Sequence, residues 1–157
     1  MIKTKNIFMP FNLLTISQSE ASEIVYAIIK KAKEDDGGPI AVAVVDVSAR
    51  LIAFAAMDGV APASIKLSQS KAYSAVVGKK DTLHWASFLK NESVVDFDMR
   101  NWTDENFSGF TGGIIITTSD KIIGGIGVSG RKGKMAPTDT ILQDSELAAF
   151  GKSFINL

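Results

Sequence analysis

Ala21, Ile24, Val25, Ile28, Ile29 and Ala32 recur at spacings of three and four, which puts them on one stripe of an amphipathic helix. Ser17 and Glu20 stand just ahead of that stripe in the order of a capping box, where each side chain satisfies an amide of the first turn. The run Asp35, Asp36, Gly37, Gly38 ends the pattern. From Pro39 the period changes. Two apolar runs, IAVAVVD and LIAFAAMD, flank the polar VSAR, a pairing that predicts an antiparallel hairpin. Nearly every position of both runs is apolar, so both faces of this part of the sheet should be covered, a partner subunit being one way to cover a face.

A helix is predicted over 61–79, broken at Gly78, and Asp81 with Thr82 marks the start of a short helix through 90. Residues 91–110 carry charge without a period, and an unpatterned connection of that length reads as a functional or interfacial loop. GGIIITT, the turn SDK and KIIGGIGVSG predict a second hairpin. After the basic loop of Arg131, Lys132 and Lys134, the run Pro137, Thr138, Asp139 caps a last helix whose apolar residues are Ile141, Leu142, Leu147, Ala148 and Phe150. The order helix, hairpin, helices, loop, hairpin, helix predicts one α/β (α+β) domain over 1–157. Its single antiparallel sheet has four or five strands built from two hairpins, flanked by helices.

The 61–79 helix lacks the large stripe that usually holds a helix down. Ala61, Ile65, Ser68, Ala72 and Ala75 share one face, with Ser64, Lys71 and Ser74 beside them. Small residues let backbones approach closely. Such a face can lie on the sheet, on another helix or under a flat ligand, and the pattern leaves all three open.

Composition narrows the function classes. The 157 residues are 46% hydrophobic, enough for a sizeable core, and 17 basic side chains balance 17 acidic ones. The footprint of a protein that tracks a phosphate backbone or an anionic membrane is missing, so nucleic acid and membrane are not expected partners. With no cysteine there is no disulfide framework and no thiolate site, which suits a reducing cytoplasm. Two lysines ahead of an apolar run give the start some likeness to a secretion signal, but Pro10 and Asn12 interrupt it and no small-residue cleavage site follows. A cytoplasmic location is therefore preferred to secretion. No apolar run reaches the roughly 18 residues of a membrane span.

Few residues offer chemistry. Gly125, Gly127 and Gly130 spell the G-x-G-x-x-G of dinucleotide sites, yet they sit in a hairpin strand, not at a strand-to-helix turn of a parallel unit. Close approach of another element is the better explanation. Amides near Gly130 with Arg131, Lys132 and Lys134 form an alternative site for a carboxylate or phosphate, against the plainer reading of a solvated basic loop. His84 is the only histidine, so neither a paired-histidine metal site nor an ordinary zinc set can form within one chain. Beside Trp85 it reads either as an axial haem ligand or as a histidine donating to a carbonyl. Asp46 and Asp58 close strands and read as turn caps. Asp96, Asp98, Asp104 and Glu105 lack the alternation of a calcium loop and read as surface charge.

The run IAVAVVDVSARLIAFAAMDGVAPASIKLSQSKAYSA, the later GGIIITTSDKIIGGIGVSG and a final helix containing QDSELA resemble the haem-binding or haem-degrading family of GlcG and HbpS-like proteins. The same fold occurs in the C-terminal domain of PduO-type proteins. The likeness spans residues 17–151. It departs from the family pattern at Ala56, at the 46–49 turn, at Ile115 and in the 91–110 loop. The resemblance implies an antiparallel sheet flanked by helices in a three-layer, profilin-like arrangement, assembly into a homo-oligomer, and haem as cofactor, with haem breakdown and iron release in some members. In that frame haem lies beside the 61–79 helix, its propionates paired with Lys71 or Arg131 and its iron met by His84; Lys71 reads equally as a structural cation, its stem packed on the apolar face and its ammonium bound to carbonyls or a carboxylate. Other members accompany glycolate, propanediol or glycerol pathways. A non-catalytic oligomeric accessory protein is therefore the alternative, with a small acidic metabolite as a further possible ligand.

Overall fold

A computed structural model describes residues 12–88, 104–131 and 141–154. Helix α1 (Gln18–Ala32) begins at Ser17 with the capping box predicted, and its buried residues are those of the apolar stripe with Ala27 in addition and Ile29 at its half-buried margin. Strands β1 (Ala41–Asp46) and β2 (Leu51–Ala56) form the first hairpin, β3 (Gly113–Thr118) and β4 (Lys121–Ser129) the second. Between them lie α2 (Pro62–Val77) and α3 (Thr82–Phe88), and α4 (Asp144–Phe154) closes the described chain. The four strands form one antiparallel sheet in the order β2-β1-β4-β3.

Alternation along β1 sorts the layers. Val42 and Val44 point to a core shared with Ile24 and Ile28 of α1, Leu147 of α4 and Ile126 and Val128 of β4. Ala43 and Val45 point the other way, to Ala72 and Val76 of α2. Helices thus cover both faces of the central strands, and β1 is buried throughout. β2 departs from the expectation of double cover. It is an edge strand in which Leu51, Phe54 and Ala56 are exposed and the other three residues half-buried.

The small residues of α2 have an intramolecular purpose. Ala43, Gly127 and Gly113 are cross-strand neighbours, and Val45 pairs with Gly125. Together they present a nearly side-chain-free floor. A Cβ added at Gly125 would lie 2.8 Å from the Ala72 carbonyl oxygen, and one at Gly127 would collide with the Ser68 carbonyl and the Ala72 amide. Helix backbone therefore rests on strand backbone, and of the three options for this face the sheet is the one realised. Ser68 and Ser74 turn their hydroxyls back to the carbonyls of Ile65 and Ser70, so the contact buries no idle donor.

Several boundaries have local causes. Pro62 opens α2 at a position that needs no amide donor, and Gly78 closes it. Gln143 donates its amide to Glu146 Oε2, a carboxylate three positions on, at the start of α4. The cap predicted at 137–139 lies outside the described residues, as do 89 and 90 of the α3 prediction. Asp46 is a turn cap as expected: its Oδ1 accepts the amides of Ser48 and Arg50, and its Oδ2 the Arg50 guanidinium. The start of α3 seals the β3 edge, because Thr82 Oγ1 takes the Gly113 amide and Asp81 Oδ1 the Ile115 amide.

Candidate ligand cleft

Pro62, Ile65, Lys66, Gln69, Ser70 and Tyr73 recur at three-and-four spacing, on a flank of α2 beside its sheet-facing residues. This flank forms one wall of a cleft of about 460 Å³. Val45, Ala49 and Leu51, at the β1–β2 turn, form the other, and Asn106 joins from the loop before β3. The volume lies within the range of small-molecule sites, and mostly apolar walls with a few polar groups are their usual lining.

The loop bearing Asn106 is tied to α2. The Tyr73 hydroxyl donates to Asp104 Oδ2 at 2.6 Å, and Asp104 Oδ1 accepts the Asn106 amide at 2.9 Å. The Ser108 amide donates to Ser74 Oγ at 2.6 Å. The hydrogen bond to Asp104 is the main reason the Tyr73 phenol is held above its ordinary value of 10.0, with burial and the carboxylate charge adding to it. Asp104, read from sequence as surface charge, is a clasp between loop and helix.

The three site residues expected from sequence stand elsewhere. Lys71 points from the sheet-facing side of α2 and is 2% exposed. Its Nζ donates to the Val128 carbonyl and to Asp144 Oδ2, each at 2.8 Å. Burial, the largest influence, pulls the ammonium below its ordinary value, while the Asp144 charge and hydrogen bond oppose that shift. Arg131 is also buried: Nη2 donates to the Ala32 carbonyl at 3.0 Å and pairs with Asp35 Oδ1 at 2.9 Å, and the guanidinium lies against Gly37. Its backbone amide meets Asp144 Oδ1 at 2.9 Å. One carboxylate thus joins the two residues, in a structural network and not at a cleft rim. His84 is exposed on α3, edge to face with Trp85 at 5.0 Å between ring centres, and is not among the residues lining the cleft. Lys132 and Lys134 lie outside the described residues, as do Asp96 and Asp98. Among the described residues no group of three or more His, Asp or Glu could hold a metal ion, and no helix is long and apolar enough to cross a membrane.

Sequence reasoning missed Lys66, Tyr73 and Asp104. The stripe from Pro62 to Tyr73 was available as a spacing, but its mixed polarity gives no hydropathy signal.

Comparisons with known proteins agree with the fold. The protein GlcG of Escherichia coli strain K12 is 30% identical over 114 residues, 73% of this chain and 81% of GlcG. Protein ORFY of Klebsiella pneumoniae has a crystal structure that superposes with a TM-score of 0.75 at 25% identity, covering 98% of this chain and 94% of its own. PduOC, crystallised as a complex with haem, gives 0.76 at 21% identity over 90% of this chain and 96% of its own, a likeness of fold. A family model for Haem degrading protein HbpS-like matches residues 16–137. The chain is thus a member of the HbpS-like family of haem-degrading proteins.

Proposed function

We propose that this protein binds haem in the cleft between α2 and the β1–β2 turn. The observation that carries this reading is the cleft itself, in a chain of this family: an apolar slot beside α2, open to solvent, with one cation and one phenol on the same helical stripe. The lining fits the group. Val45, Ala49, Leu51, Pro62 and Ile65 offer the apolar contact a porphyrin face needs, and Lys66 is placed at the exposed side where a propionate would emerge. When bound, haem supplies a redox-active iron. The chain supplies the walls, the cation and the hydroxyl. Lys71 and Arg131 support the fold in this reading, since each meets its charge partner inside the protein.

Titration with haemin tests the proposal. The expected result is a Soret shift that saturates near one haem per chain and is lost in Ser70→Trp, where an indole fills the cleft. No saturable shift, or a shift indifferent to the indole, refutes it. Self-association belongs to the same reading, supported by the exposed apolar side chains of the β2 edge, and light scattering reads it directly.

A further inference from the structure

Tyr73 brings to the cleft a hydroxyl whose proton acceptor is a carboxylate. Its hydroxyl is 2.6 Å from Asp104 Oδ2, and the other oxygen of that carboxylate is held by the Asn106 amide. The acceptor is therefore anchored on both sides, and the phenol is oriented by a short, charge-assisted bond. Lys66 lies on the same stripe two helical turns earlier, about 10 Å along the axis. A flat ligand whose centre faces Tyr73 would present its periphery to Lys66.

We propose, resting on the haem reading above, that Tyr73 is the group of this cleft that contacts the iron of a bound ferric haem, with Asp104 as its positioning residue and Lys66 as partner of a propionate. Tyrosine is one of the side chains that hold haem iron, and an outer hydrogen-bond partner fixes the orientation of such a ligand. The proton balance is simple. With ferric haem bound, the Tyr73 O–H bond would break, the proton would be kept on Asp104 Oδ2, which as a neutral carboxylic acid donates back to the phenolate, and the phenolate oxygen would supply its electron pair to the iron without change of oxidation state.

The test uses two probes, ferric haemin and metal-free protoporphyrin IX, which share propionates and ring but differ in iron. The wild-type complex with haemin should show a phenolate-to-iron charge-transfer absorption. Tyr73→Phe should abolish that absorption and weaken haemin binding by more than about tenfold, leaving protoporphyrin binding unchanged. Asp104→Asn should cost about tenfold for haemin alone. Lys66→Gln should weaken both probes alike, by up to about fivefold, as expected for an exposed ion pair. Tyr73→His should retain haemin with an imidazole-type spectrum, and circular dichroism checks that each variant is folded. Wild-type affinity and spectrum in Tyr73→Phe would overturn the inference while leaving the haem reading intact, as would loss of the spectrum in His84→Ala alone. Failure of the wild-type protein to bind either probe would overturn both.

Discussion

The two faces of the sheet are built on opposite packing rules. Toward α1 and α4 the strands offer Val42, Val44, Ile126 and Val128, which interdigitate with Ile24, Ile28 and Leu147. Toward α2 they offer glycine and alanine, and the contact is backbone on backbone. A side-chain interface can relax when a methylene is removed, whereas a backbone interface has nothing to move out of the way of an added one. Ile126 and Gly127 are adjacent in β4 and belong one to each face, so the contrast can be measured within a single strand.

The largest loss is expected at the tie between the two layers. Asp144→Ala leaves the Lys71 ammonium buried beside the Val128 carbonyl without its counter-charge, which should cost about 3–5 kcal/mol in chemical denaturation. Lys71→Met with Asp144→Leu should recover most of it, and a double variant as unstable as Asp144→Ala would contradict that account. Gly127→Ala should follow at about 3 kcal/mol, because the new methyl meets the Ser68 carbonyl and Ala72 amide. Ile126→Val, a loss of one methylene on the opposite face, should cost about 1 kcal/mol. Equal effects at Gly127 and Ile126 would remove the distinction between the faces.

The last comparison concerns acid, where only the pH-dependent share of the Asp35–Arg131 tie is read. Burial is the largest influence on Asp35 and pushes its carboxyl up, but the amides of Gly37 and Leu142 and the Arg131 charge together bring it below its ordinary 3.8. A carboxylate lowered by folding stabilises the protein fully above the unfolded value, and that contribution disappears as pH falls through the lower folded value. Asp35→Asn should therefore lose stability at neutral pH and flatten the stability curve below about pH 3.8. An unchanged acid limb would show that the tie is inert.

Periodicity made the fold legible. The three-and-four spacing of α1 and the two hairpins of short apolar runs required little tertiary information, and their order dictated an antiparallel sheet with helices. The apolar run of β1 signalled cover on both sides, but the same signal in β2 was misleading: a strand of alanines with Leu51, Ile52 and Phe54 reads alike whether it is central or at a margin. The site was much less legible. Arg131 looks like a free cation in a linear reading, and Lys71 reads equally as a ligand's partner or as a structural ammonium, because the carboxylates that neutralise them are distant in sequence, Asp144 being 73 positions beyond Lys71. Tyr73 was hidden for the opposite reason, since its meaning depends on Asp104 arriving from a loop with no pattern of its own.

The sealed margin of β3 limits how copies of this chain can join. With the Gly113 and Ile115 amides already taken by Thr82 and Asp81, recruitment of a new strand is directed to β2. Two chains meeting there about a twofold axis, β2 against β2, would make an eight-stranded ribbon blocked at each outer end. Growth would stop at the pair, and the protein would be protected from running on into a fibre.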